Sequence, residues 1–83
     1  MKVLYFARFR QLIGRGHDNL EIPPEVKTVS DLIAHLMAHD VGCAAAFANI
    51  KTVKTAVDQQ HVGLDHLIGG AKEIAFFPPV TGG

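Results

Sequence analysis

The chain has 83 residues, of which 48% are hydrophobic and 19% charged, proportions that fit one globular domain and exclude a disordered segment. Its 8 Lys and Arg balance its 8 Asp and Glu, which argues against a phosphate-tracking nucleic-acid binder. Stretches free of charged side chains reach only about ten residues, half of what a membrane-spanning helix needs.

The first apolar run is interrupted by Arg8 and Arg10 before a secretory core could form. Cys43 is the lone cysteine, so it can form no internal disulfide and cannot build a structural zinc site alone. An unstapled small domain of this kind is expected in the reducing cytoplasm.

Lys2 to Ala7 is rich in β-branched and aromatic residues and reads as a strand, apolar at nearly every position. Arg8 to Ile13 reads as a short helical turn stopped by Gly14, with Gly14-Arg15-Gly16 as a turn. Asp18 to Ile22 alternates, with Leu20 and Ile22 on one face, and reads as the second half of a hairpin closed by Pro23-Pro24.

The strongest helix signal follows. Val29, Leu32, Ile33, Leu36 and Met37 recur at i, i+3, i+4, i+7 and i+8, with Thr28 as N-cap and Asp31 in the first turn. Asp40-Val41-Gly42 reads as its stop, and Cys43 to Ala48 as a second short helix. Thr52 to Val62 is β-like with a break near Asp58-Gln59, and Glu73 to Phe77 is a last strand ended by Pro78-Pro79. The order predicts a two-layer α+β domain with one main helix on one face of a mixed four- to five-stranded sheet, an order that a β-grasp satisfies.

The unusual feature is the end, Phe77-Pro78-Pro79-Val80-Thr81-Gly82-Gly83, which carries no charged side chain. Two prolines favour an extended path and cannot join a central strand, and two glycines can enter a passage too narrow for any Cβ. The terminal carboxylate of Gly83 would be ionised. Read by itself, the segment is either a frayed terminus or a stalk that presents a carboxylate to another protein's active site.

The ending AFFPPVTGG resembles that of the MoaD-like sulfur carriers, the small subunits of molybdopterin synthase. The resemblance runs the whole chain, through KVLYFARFRQLIG, TVSDLIAHL and AVDQQHV. It implies a ubiquitin-like β-grasp over residues 1–77 and a flexible tail over 78–83. It also implies that Gly83 is adenylated and then converted to a thiocarboxylate, which donates sulfur to cyclic pyranopterin monophosphate in molybdenum cofactor biosynthesis. Gly82 and Thr81 would give clearance in the channel.

On this resemblance the chain is not catalytic alone. It binds no cofactor of its own, since ATP and magnesium are used by the activating partner, and no G-x-x-x-x-G-K pattern occurs here. The partners implied are an adenylating and sulfurating enzyme and the large synthase subunit, in a heterotetramer, with neither nucleic acid nor membrane. Rival readings are a ThiS-like carrier for thiazole synthesis, a ubiquitin-like modifier joined to lysines, and a β-grasp binding module with an inert tail.

A single helix covers one sheet face only. The other face is expected to expose Leu4, Phe6 and Phe77 beside the tail, forming with Pro78, Pro79 and Val80 a partner-binding patch. Three positions depart from the family pattern: Gly69-Gly70-Ala71-Lys72 replaces an Asp-Gly turn, Asp58 an Asn, and His61 an apolar residue. Asp31, His35 and His39 share a helix side with metal-ligand spacing but read better as a solvated face. Cys43 reads as a buried structural thiol.

Overall fold

The computed structural model describes residues 1–79. Five strands, β1 (Lys2–Tyr5), β2 (His17–Asn19), β3 (Lys54–Val57), β4 (Gln60–Val62) and β5 (Glu73–Phe77), form one sheet in the order β2-β1-β5-β3-β4. The central pair, β1 and β5, is parallel, and the other pairings are antiparallel. The helices α1 (Arg8–Ile13), α2 (Val29–His39) and α3 (Val41–Ala46) connect them, with a 3-10 turn at Ile50–Thr52 before β3. This is the β-grasp arrangement that the order of elements predicts.

Alternation divides the sheet. Val3, Tyr5, Ile74 and Phe76 are buried on the inner face, with Val29, Leu32, Ile33 and Leu36 of α2 in the same core. Phe47 bridges the layers, its ring 5.2 Å from Phe9 and 4.9 Å, edge-on, from Phe76. Such tilted and edge-on contacts are the favourable geometry for aromatic quadrupoles.

The main helix begins where its sequence says. Thr28 accepts from the Asp31 backbone N–H, while the Asp31 carboxylate accepts from the N–H groups of Thr28 and Lys27. This capping box satisfies donors that a helix start otherwise leaves open. Two more are satisfied from a distance: Val29 N–H donates to the His66 carbonyl at 3.0 Å and Ser30 N–H to that of Leu64 at 2.8 Å. The stretch between β4 and β5 is thereby tied to the helix start.

Several boundaries differ from the sequence reading; the second short helix, for one, runs over Val41–Ala46 rather than Cys43 to Ala48. The first strand ends at Tyr5, because Ala7 turns the chain at φ 54°. The second ends at Asn19; Leu20 and Ile22 instead lie against the core from an irregular segment. Gly42 does not stop a helix. Asp40 both closes α2 and caps α3 through the Cys43 N–H, and Gly42 sits inside α3. A Cβ at Gly42 would lie 2.7 Å from the Leu12 carbonyl oxygen and 2.9 Å from the Ile13 Cα, so glycine is what lets α3 approach α1.

One polar cluster joins these pieces. The Tyr5 hydroxyl donates to Asp18 at 2.9 Å, and the Arg15 guanidinium donates to Asp18 at 2.8 Å and to Asp40 at 2.9 Å. The pairing with Arg15 holds the Asp18 carboxyl below its usual range despite partial burial, and burial raises the Tyr5 phenol. The cluster ties β1, β2 and the junction of α2 with α3 around the α1 turn.

Candidate functional site

The site begins with β5. Both its edges are hydrogen-bonded, to β1 as far as Phe76 and to β3 as far as Phe77, so the strand is held from two sides up to its end. Phe77 lies opposite Lys54, and the chain then leaves the sheet through Pro78 and Pro79, both partly exposed. Neither proline offers an N–H to continue a ladder. Val80, Thr81, Gly82 and Gly83 lie outside the described residues.

The sheet face turned away from the helices carries Leu4, Ala75 and Phe77, with Ala56 opposite Ala75. Leu4 and Phe77 are half-buried, and Phe6 is 48% exposed. Phe6 continues the parallel pairing one step past β1, its N–H donating to the Phe76 carbonyl at 3.1 Å. The three expected apolar side chains are therefore brought to the same end of the sheet as the root of the tail. His61, opposite Ala56, sets its ring 5.3 Å from that of Phe77.

A strained turn positions Phe6. Ala7 adopts φ 54° and ψ −127°, a region that side chains with a Cβ rarely enter. The Phe9 N–H closes the turn onto the Phe6 carbonyl at 3.1 Å. Arg8 then points across the end of the sheet: its guanidinium donates to the Thr52 carbonyl at 3.0 Å and to the Thr52 hydroxyl, and it lies 4.7 Å from the Phe9 ring centroid. Sequence reasoning does not single out Arg8, Lys51 or Lys54 as neighbours of the tail. The signal is there only once Lys54 to Val57 is paired, in register, with the last strand.

Asp58 has a structural role. It and Gln59 take positive φ, 48° and 70°, in the tight β3–β4 turn. The Asp58 carboxylate accepts from the N–H groups of Lys72 and Glu73 at 3.0 and 2.9 Å, fixing where β5 starts.

The remaining candidates are engaged elsewhere. Asp31 is held in the capping box, and His39 Nδ1 lies 2.8 Å from the His35 carbonyl oxygen. Among the described residues no group of three or more His, Cys, Asp or Glu could hold a metal ion. Cys43 is fully buried, and its thiol is pushed up to about 11 by burial and by the charge of Asp40; a thiol in that state is a poor nucleophile. An open apolar groove of about 800 Å³, bordered by Met1, Leu20, Val26 and Leu67, lies at the start of β1 and β5, away from the tail.

The arrangement is thus a strand paired on both edges, an apolar surface beside its end, and a chain that leaves the sheet at that point. Residues 3–83 match the ThiS family. The chain belongs to that family. This member of the ThiS family is 41% identical to the molybdopterin synthase sulfur carrier subunit of Escherichia coli (strain K12), over all of this chain and 99% of that one.

Among solved structures it resembles a putative molybdopterin converting factor, subunit 1, from Pyrococcus furiosus, at a TM-score of 0.70 and 32% identity over 95% of each chain. It also resembles SAMP1 from Haloferax volcanii, at a TM-score of 0.76 and 20% identity over 100% of this chain and 98% of that one, which is a likeness of fold. These neighbours make the fold of this ThiS-family chain the ubiquitin-like β-grasp.

Proposed function

We propose that this chain is the sulfur carrier subunit of molybdopterin synthase. The observation that carries the reading is the 41% identity, across the whole chain, with a relative of that name. The family match extends through Gly83, and β5, paired to β1 and to β3, anchors the chain where it leaves the sheet.

In this role the carboxylate of Gly83 is the reacting group. A carboxylate is a poor electrophile, so an adenylating partner, using ATP and magnesium, first joins it to AMP with loss of pyrophosphate. A sulfur donor then displaces AMP and leaves a thiocarboxylate, whose sulfur is a good nucleophile. The large synthase subunit takes up the tail, and two such sulfurs convert cyclic pyranopterin monophosphate to the dithiolene of molybdopterin. Gly82 and Thr81 keep the stalk narrow. Leu4, Phe6, Phe77, Pro78, Pro79 and Val80 form the surface on which each partner seats.

The domain supplies position and recognition, and the partners supply catalysis. A cytoplasmic setting fits the free Cys43, and no helix among the described residues is long and apolar enough to cross a membrane.

The test is conversion of cyclic pyranopterin monophosphate by the thiocarboxylated chain together with the large subunit. A dithiolene product is expected, and its absence would defeat the reading. Intact mass of the chain isolated with its activating enzyme should show one oxygen exchanged for sulfur at Gly83. Lysine-linked adducts would indicate a protein modifier instead.

A further inference from the structure

The net charge of zero conceals a segregation. All 8 carboxylate side chains fall in residues 18–40 and 58–73; none occurs in 1–17, 41–57 or 74–83. The fold gathers parts of those three acid-free segments at one end. Parallel pairing sets the end of β1 beside the end of β5, and antiparallel pairing sets the start of β3 there too, Lys54 opposite Phe77. Arg8 reaches to Thr52, and Lys51 is the preceding residue of the same 3-10 turn. Lys51 and Lys54 are exposed and Arg8 is partly so.

Among the described residues none of these three cations lies within ion-pair distance of a carboxylate, whereas Arg15 engages both Asp18 and Asp40. Where the tail leaves, the domain therefore presents uncompensated positive charge around an apolar centre of Phe6 and Phe77.

We propose that this end is a cationic collar, and that the large synthase subunit carries a rim of carboxylates around the mouth of the channel that takes the tail. The proposal rests on the reading of the previous section. The form of the collar selects the occupant. Its charges stand on α1, on the 3-10 turn and on β3, spread around an apolar patch. A phosphate needs donors that converge on one point, whereas a protein surface with an apolar centre and an acidic rim matches both the spacing and the sign. Since the tail carries no charged side chain, the collar is also what can orient the domain before contact, over a screening length of about 8 Å at physiological salt.

Arg8 is left out of the test because its contacts with Thr52 and Phe9 are structural. The variant is Lys51→Glu/Lys54→Glu, at two exposed positions, with Lys51→Arg/Lys54→Arg as the charge-preserving control. Association and dissociation rates with the large subunit are measured at about 50 mM and about 500 mM salt.

The charge-reversed chain should associate roughly tenfold or more slowly at low salt, with little change in dissociation, and the gap should close at high salt. The arginine variant should associate like the wild type, and all three should melt alike. A wild-type complex whose association ignores both salt and the charge reversal would overturn the collar while leaving the sulfur-carrier reading intact. Absence of any complex between the wild-type chain and the large subunit would overturn both.

Discussion

Phe76 and Phe77 are neighbours on β5 that face opposite sides of the sheet, and substituting each in turn separates the core from the partner surface. Phe76 is fully buried, edge-on to Phe47 at 4.9 Å. Its replacement by Ala removes the ring and leaves a cavity, at a cost of about 3–5 kcal/mol. A domain of 83 residues has roughly 4–12 kcal/mol of stability in all, so Phe76→Ala should lower Tm on the order of 15–30 °C or prevent folding.

Phe77 is half-buried. Losing half of the burial free energy of a phenylalanine costs about 1 kcal/mol, or roughly 5 °C in Tm. If Phe77 anchors the large subunit as a central aromatic side chain, Phe77→Ser should cost about 2 kcal/mol of binding, roughly thirtyfold in Kd. Thermal melts followed by circular dichroism and calorimetric titration with the large subunit measure the two effects. Equal losses of Tm in the two variants, or wild-type affinity in Phe77→Ser, would refute the assignment of faces. Phe6→Ser should repeat the pattern of Phe77→Ser.

Further predictions concern the turn, the polar cluster and the thiol. Ala7→Gly relieves a backbone strain of about 1–3 kcal/mol against a glycine entropy cost of about 0.5–1 kcal/mol, so its urea midpoint should rise; a fall would show that Ala7 is unstrained. The depressed Asp18 carboxyl binds its proton less readily folded than unfolded. Its contribution is therefore present above the unfolded value of about 3.9 and is lost as pH falls through the lower folded value. Between about pH 5 and pH 2 the wild type should lose stability more steeply than Asp18→Asn, which at neutral pH costs about 1 kcal/mol or less because Arg15 is partly exposed; parallel urea-midpoint profiles would contradict this. Cys43 should resist a disulfide reagent at about pH 8 until denaturant is added, and stoichiometric labelling of the native chain would show the thiol to be accessible.

The helix Val29–His39 was legible because its apolar period and its capping residues agree, two independent local signals at one place. The face assignment of β1 and β5 was legible for the same kind of reason, since alternation fixes which side chains go together once a strand is recognised. What stayed hidden depends on distant pairing. Leu20 and Ile22 alternate like a strand, yet Asp18 and Asn19 already complete a three-residue edge, and no local pattern marks that limit. Gly42 reads as a stop because glycine commonly ends helices; its real role, admitting Leu12 and Ile13, appears only when α1 lies against α3. Arg8 is far in sequence from Lys51 and Lys54, and a balanced composition gives no hint that the fold brings it to the end of the sheet where Lys54 stands opposite Phe77.

The central position of β5 also has a consequence for how the molecule is made. Both neighbours of this strand, β1 and β3, are synthesised before it, and so is the helix that covers it. Until residues 73–77 have left the ribosome, the two halves of the sheet have nothing between them, and Val3, Tyr5 and Phe47 lack Ile74 and Phe76 as partners. Completion of the domain thus waits on the segment that leads directly into the tail. A chain interrupted within β5 should therefore remain unfolded and open to proteolysis.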